Sequence, residues 1–398
     1  MGTIAESLHR RVTEIIPDIA PMATAVSLEI HGHPELSLKE FAAAKLLRDT
    51  LQSEGFEIEC PLANLATGFR AVSGDGSHPI IAYLLEYDAL PEIGHACGHN
   101  LIAAGGLAAA IALHRLGDER PGTVWVVGTP GEEADGGKIT ELEAGVFDEV
   151  DAALMFHPGD RTVPFRHATA LADLFVEFHG VAAHAAGSPQ QGRNALAAMI
   201  QFFVAIDGLR QHIPETSRIH GIITHGGAAP NVVPDFTAAH FLVRALTSDT
   251  VKTLLSRVKQ CGEGAALATG TTVSFEDRPL YAERKNNHVL ANRVADYLLK
   301  AGVAVNEPIL RGGTGSSDIG NVSLRIPAIH PYLGIVPEGT PGHSHAMREA
   351  AGSPAAQTKM MLMAGALAHA GLDFLVDETF RRHVKEEFRT AGPDLPPG

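Results

Sequence analysis

The sequence predicts an α/β protein: a sheet domain covered by helices, interrupted by an inserted ferredoxin-like (βαββαβ) domain. Three observations lead there. Apolar runs without clear alternation recur between helical segments in the first 170 residues, the pattern of strands buried on both faces of a parallel sheet. From about residue 171 the strands alternate instead, in the order β-α-β-β-α-β. After about residue 285 the buried runs and helices return. The expected organisation is one domain built from 1–170 and 285–398, with 171–284 inserted as a second.

Residues 4–16 and 38–54 read as amphipathic helices, the second through Phe41, Ala44, Leu47 and Leu51. Three strands follow. HPIIAYLLEYD (78–88) runs into Asp88, TVWVVGTPGEE (123–133) into Glu132 and Glu133, and VDAALMFHPGD (151–161) into His157. Helices are expected between them at 101–116 and 137–147. In such sheets ligands bind beyond the carboxyl ends of the strands, and all three ends carry a potential metal ligand or acid–base group. In the insert, strands are expected at 172–180, 217–225, 235–246 and 271–280. Its helices are expected at 192–213 and from Thr247 or Ser248 to about 268, with Asp249 favouring the dipole of the first turn. The alternation implies an open sheet face that could pair with another subunit. The closing segment reads as helix 288–301, strand 326–335 and helix 354–371.

Composition narrows the class. Hydrophobic residues make up 45% and charged residues 19%, as in a soluble globular protein. No apolar run approaches the roughly 18 residues that span a membrane, and MGTIAES fits a myristoylation pattern only superficially. The first 20 residues lack a basic start and apolar core, so no signal peptide is expected. A net charge of −15 opposes nucleic-acid binding. Cys60, Cys97 and Cys261 are too few and too scattered for a disulfide framework, so the expected compartment is the cytoplasm.

The chemistry-bearing residues cluster in short glycine-rich stretches. Cys97 and His99 in HACGHN could ligate metal from one tight loop, with His95 as a third candidate. Adjacent carboxylates Glu132 and Glu133 can divide two tasks, one binding metal and one moving a proton. His157 ends its strand, and His343 and His345 lie in a Gly/Pro-rich loop. Each has an ordinary reading when taken alone: a buried free cysteine, an exposed acidic loop, a satisfied core histidine, a solvated loop. Together the thiol, imidazoles and carboxylates suit borderline metals such as zinc and manganese.

HACGHN (95–100), GTPGEE (128–133), FHPG (156–159), GVAAHAAGSPQQGRNAL (180–196) and PGHSHAM (341–347) resemble the M20 family of metallopeptidases and amidohydrolases. HPELSLKE (33–40) and DALP (88–91) are similar to its cysteine-containing branch, which includes auxin-conjugate-type amidohydrolases, aminobenzoyl-glutamate hydrolase and β-alanyl dipeptidase-like proteins. The resemblance implies a homodimer. It would hydrolyse the amide bond of N-acyl or N-aminoacyl amino acids, or of small dipeptides with a free carboxylate. Two divalent metal ions, zinc or manganese with cobalt possible, would serve each subunit. By the same resemblance Cys97 is the bridging ligand, His99, Glu133, His157 and His343 are further ligands, and Glu132 is the general base. His184 resembles a lid histidine that steadies the oxyanion in the partner's site. Asn231 resembles a second lid contact, and Arg244 the arginine that pairs with a substrate carboxylate.

The sequence departs from the family at several places. The His-x-Asp of many members is Glu86-Tyr87-Asp88, leaving Asp88 to orient its neighbours. Asn100 follows Cys-Gly-His where Asp is common, Met347 stands where Phe is usual, and His345 beside His343 leaves the late ligand open between them. GGTGSSDIGN (312–321) lacks the Lys-Ser/Thr of a phosphate cradle and resembles a site-lining loop with a structural Asp318. The reading from another class is a catalytically idle relative that binds metal or a metabolite.

Overall fold

The computed structural model describes residues 2–308 and 315–395. The chain divides into two compact units, Met1–His167 with Arg284–Gly398, and Ala168–Glu283. The first unit opens on α1 (Gly2–Gly32), α2 (Phe41–Glu54), β1 (Glu57–Glu59), β2 (Phe69–Ser73) and β3 (Ile80–Leu85). It continues through α3 (His99–His114), β4 (Thr123–Gly128), α4 (Gly137–Glu143), β5 (Ala152–Leu154) and β6 (His157–Gly159). The second unit is β7 (Ala170–His179), α5 (Ala195–Arg210), β8 (Arg218–His225), β9 (Phe236–Ala245), α6 (Ser248–Thr269) and β10 (Thr272–Asp277). The chain then returns through α7 (His288–Lys300), α8 (Ile319–Ser323), β11 (Ala328–Ile329) and β12 (Tyr332–Gly334). It closes with α9 (His345–Ala351), α10 (Pro354–Val376) and α11 (Glu378–Thr390).

The main sheet has the order β1-β2-β4-β3-β5-β11. β4, β3, β5 and β11 are parallel, while β1 and β2 add an antiparallel edge. Each of the two runs expected as single strands, 151–161 and 326–335, splits in two. β5 and β11 pair in the main sheet, and β6 and β12 form a separate parallel ribbon that sets His157 opposite Tyr332. β1, β2, α9 and α11 were not read from the sequence: β1, β2 and α9 are short, and α11 is strongly polar, with only Phe380 and Val384 buried.

Helix α3 is buried from His99 to Leu113 and packs against α1, α10 and β3. Its small residues allow this close approach: a Cβ on Gly106 would lie 2.5 Å from Leu85 Cδ2. The N-terminal helix extends well beyond 4–16, continuing through Pro17 and Pro21 to Gly32. Interior prolines ordinarily break a helix. Here the buried stripe Leu8, Val12, Ile19, Ala23, Val26 and Ile30 holds it against the core. Helix α10 also runs longer than expected, and it has the length and apolarity to cross a membrane. However, 67% of its apolar window is buried in the fold.

The second unit is an antiparallel sheet, β10-β7-β9-β8, with α5 and α6 packed on one side. Asn194 and Thr247 cap the two helices through their side-chain oxygens, accepting from Ala197 N–H and Thr250 N–H. β8 is an edge strand whose Ile222 and Ile223 are exposed.

Near the C-terminus, His288 Nε2 lies 2.7 Å from Asp394 Oδ1. The hydrogen bond to Asp394 raises the imidazole above its ordinary value. Burial would raise the Asp394 carboxyl, but bonds from His288 and Asn286 hold it below the usual range. The histidine's contribution to stability is therefore complete below pH 6.5 and is lost as pH rises through its raised value. That of Asp394 is present above pH 3.8 and is lost on further acidification. The melting-temperature gap between wild type and His288→Gln should be widest between these limits and shrink toward alkaline pH. A gap that grows with pH would contradict the pairing.

Candidate metal centre

The carboxyl ends of β3 and β4, the N-terminus of α3 and the start of β6 meet at one place. β3 delivers Glu86 and Asp88, both buried. Asp88 Oδ1 lies 2.9 Å from His99 Nδ1, and its Oδ2 accepts from Glu133 N–H at 2.9 Å. One carboxylate thus sets the ring of His99 and the loop after β4, and leaves His99 Nε2 pointing elsewhere. Glu40, from HPELSLKE, fixes the same loop by accepting from Gly131 N–H at 2.9 Å, while also accepting from Thr67 Oγ1 and Leu38 N–H. Burial and the nearby Asp88 push its carboxyl up to about 7. Gly98 precedes α3 at φ 75°, and a Cβ there would lie 2.8 Å from Pro158 Cγ. Only glycine places Cys97 and His99 on either side of that turn without strain.

Cys97, His99 and His157 bring one ligand atom each to within 4.8 Å of one another, and so do Cys97, Glu133 and His343. The two sets share Cys97. A third set, His99, Glu132 and Glu133, joins them. His343, at φ 51° with its side chain 61% exposed, reaches toward the cluster, its Nε2 3.9 Å from Glu133 Oε2. His345 belongs to no such set among the described residues and begins α9. His95 is buried beside His31 and likewise stands outside the sets.

The electrostatics fit cations. Glu86, Asp88, Glu132, Glu133 and Asp318 crowd a region whose buried ammonium is Lys138, bonded to Glu86 at 2.6 Å and to Asp318 at 2.8 Å. Burial, with Glu86, Glu133 and Asp318, pushes the Glu132 carboxyl well above its ordinary range. Burial and the carboxylates Glu133, Glu132 and Asp88 push the Cys97 thiol far up. Burial alone would lower His99, but Asp88, Glu86 and Glu133 hold it well above the ordinary value. Burial and the charge of His99 bring His157 down to about 4. His99 Nε2 and Glu133 Oε1 are buried with no hydrogen-bond partner, a cost of about 1–3 kcal/mol each. Divalent cations would satisfy both atoms, offset the surplus negative charge and convert the thiol to thiolate. The donor set therefore fits divalent metal ions, with Cys97 common to two of the sets.

The remaining sequence-derived residues lie in the second unit. His184 pairs with Val232 in a short bridge, and Asn231 O accepts from Ala185 N–H, so His184 and Asn231 share one exposed corner. His184 Nδ1 accepts from Ala186 and Gly187 N–H, which leaves Nε2 as the proton-bearing nitrogen. Arg244 sits on β9, and burial lowers its guanidinium from the usual value. In GGTGSSDIGN, residues 312–314 lie outside the described residues, while Asp318 bonds Lys138 through side chain and backbone.

Sequence reasoning missed Lys138, Glu86, Glu40 and His330. A lysine two residues past Asp-Gly reads as solvated, and only the fold reveals it as buried. His330, buried with both ring nitrogens unpartnered and edge-on to His157 at 5.4 Å, gave no signal beyond its place in an apolar run.

Residues 169–267 match the M20 peptidase dimerisation domain. The chain is 37% identical to the Xaa-Arg dipeptidase of Mus musculus, over 96% of this chain and 93% of that protein. It is 30% identical to a subunit of the p-aminobenzoyl-glutamate hydrolase of Escherichia coli, over 96% and 95% of the two. A dinuclear metal-binding M20 peptidase from Bacillus subtilis shares the fold at a TM-score of 0.61 and 22% identity, over 92% of this chain and 99% of that one. The chain belongs to the M20 family, metal-dependent hydrolases of carbon–nitrogen bonds.

Proposed function

We propose that this chain hydrolyses dipeptides or N-acyl amino acids at the cluster centred on Cys97. The observation that carries the reading is the pair of donor sets sharing Cys97, with Glu132 beside them. The substrates in the names of the two relatives, an Xaa-Arg dipeptide and p-aminobenzoyl-glutamate, share an amide to the nitrogen of an amino acid with a free carboxylate. That common element supports the substrate class. Cys97, His99 and His157 would hold one ion, and Cys97, Glu133 and His343 a second. The mixed thiolate, imidazole and carboxylate set suits zinc or manganese, with cobalt as a further candidate.

Two bound divalent cations would polarise the amide carbonyl and make water at the site more acidic. Glu132 accepts the proton of the attacking water and returns it to the leaving nitrogen. Asp88 keeps His99 in the tautomer that presents Nε2 to the cluster. Residues 1–170 and 285–398 form the catalytic domain in this reading, and 171–284 the lid and dimerisation domain. The matched dimerisation domain and the exposed edge β8 support a homodimer. Within it the partner subunit's His184 donates Nε2–H to the oxyanion, and Asn231 and Arg244 hold the substrate. Three free cysteines support a cytoplasmic location.

The test is product formation by mass spectrometry. Metal-loaded protein is incubated with a pool of dipeptides ending in basic or neutral residues, N-acyl amino acids and aminobenzoyl-glutamate. Free amino acid from at least one amide class is expected. No free amino acid from any amide in the pool, with metal bound, would overturn the reading.

A further inference from the structure

We propose that a groove between α1 and α10 binds a small amphipathic carboxylate, with its charge at the Arg10–Lys300 end and its tail along the apolar floor. The proposal stands independently of the hydrolase reading. Two cavities of about 460 and 490 Å³ lie along these helices and share Ile16, Pro17, Met361 and Leu362. Each falls within the size range of small-molecule sites. The second continues past Ala20 toward Leu28, which is 43% exposed.

The first cavity is cationic at one end. Arg10 and Lys300 are exposed, and neither has an ion pair among the described residues, in a chain of net charge −15. Thr13 and His369 line the same end, their Oγ1 and Nε2 3.4 Å apart. Asp373, beneath this end, is already engaged by His9 Nε2 at 3.0 Å, Arg293 at 2.7 Å and Tyr297 Oη at 2.8 Å. Its negative charge is therefore screened from the cavity. His9 and His369 face each other Nδ1 to Nδ1 at 2.9 Å, which fixes both rings. The result is a rigid polar wall with two cations free of ion pairs, continuous with an apolar trough. That combination selects an anion with a hydrophobic tail over either a hydrophilic anion or a neutral lipid.

The cationic end of this groove is remote from the metal cluster, whereas its apolar end, lined by Leu28 and Gly352, lies close to His31. α1 reaches the cluster only at its far end, where His31 faces His95. At 1.5 Å per residue, His9 lies roughly 30 Å from His31 along the helix.

Space for a blocking substitution exists at Gly365, which lines the groove. A Cβ there would meet only Ile16 Cγ1, at 4.0 Å. The experiment is calorimetric titration of decanoate, with 1-decanol as the uncharged comparison, into metal-loaded protein. Wild type should bind one equivalent of decanoate more tightly than decanol. Gly365→Leu should weaken binding at least tenfold by filling the trough, and Arg10→Glu/Lys300→Glu should do so by reversing charge, about 1.4 kcal/mol or more in each case. Cys97→Ser should bind decanoate as wild type does. Unchanged circular dichroism and turnover would confirm that the groove variants are folded. The proposal is overturned if wild type does not bind, if both groove variants bind normally, if decanol binds equally well, or if Cys97→Ser loses binding. The last result would place decanoate at the metals. A wild type that fails to bind while Gly365→Leu alters sedimentation would instead identify the groove as a contact between copies, which also overturns the proposal.

Discussion

Glu132→Gln is expected to lower turnover by about 10²–10⁴-fold while fold and metal content are retained, the usual contribution of a general acid–base group. Glutamine keeps the shape of the side chain and cannot accept a proton. Glu132 Oε2 lies 4.0 Å from His99 Nε2, and its side chain is 11% exposed. Burial and the charges of Glu86, Glu133 and Asp318 raise its proton affinity, and bound cations would draw it back down. A carboxylate held between these opposing influences can both take and return a proton. The rate on a dipeptide and the metal content of both proteins are the readouts. Residual turnover within about tenfold of wild type would remove Glu132 from the mechanism.

Lys138→Met is expected to destabilise the first unit by about 3–5 kcal/mol, because it strips the counter-charge from two buried carboxylates. The side chains of Lys138, Glu86 and Asp318 are all 0% exposed. Burial would neutralise the ammonium, but Asp318, Glu86 and Glu132 hold it firmly charged. Burial also presses on both carboxyls. Lys138 keeps Glu86 below its ordinary value, whereas Asp318 is pushed up to about 6 with the charge of Glu86 adding to burial. The cost of losing Lys138 thus lies in what it leaves behind. The double variant Lys138→Met/Glu86→Gln should recover part of the loss in denaturant unfolding. A single variant within about 0.5 kcal/mol of wild type would show that the lysine carries no such burden.

Much of this was legible in the chain, and the reasons are physical. Strands buried on both faces show as unbroken apolar runs, so β3 and β4 and the site residues after them could be placed. The insert was legible strand by strand because β7 and β9 alternate and Thr247 caps α6. The motif-bearing residues Cys97, His99, Glu133, His157 and His343 do converge. What stayed hidden depends on tertiary context. α1 passes two prolines because a buried stripe on its flank outweighs their local preference. Lys138 and Glu40 look like surface charges until the fold encloses them. Between His343 and His345, left open by the sequence, only His343 joins a donor set among the described residues, a convergence of loop and sheet that no periodicity announces.

The central claim is that Cys97 joins two metal sites. It is tested most directly by the metal content of the purified, metal-loaded protein and of Cys97→Ser. Two divalent ions per chain are predicted for wild type, with loss of both sites or a sharp fall in affinity at each in the variant, because the two donor sets share this sulfur. A wild type that holds two ions and a Cys97→Ser variant that holds them as tightly would contradict the account.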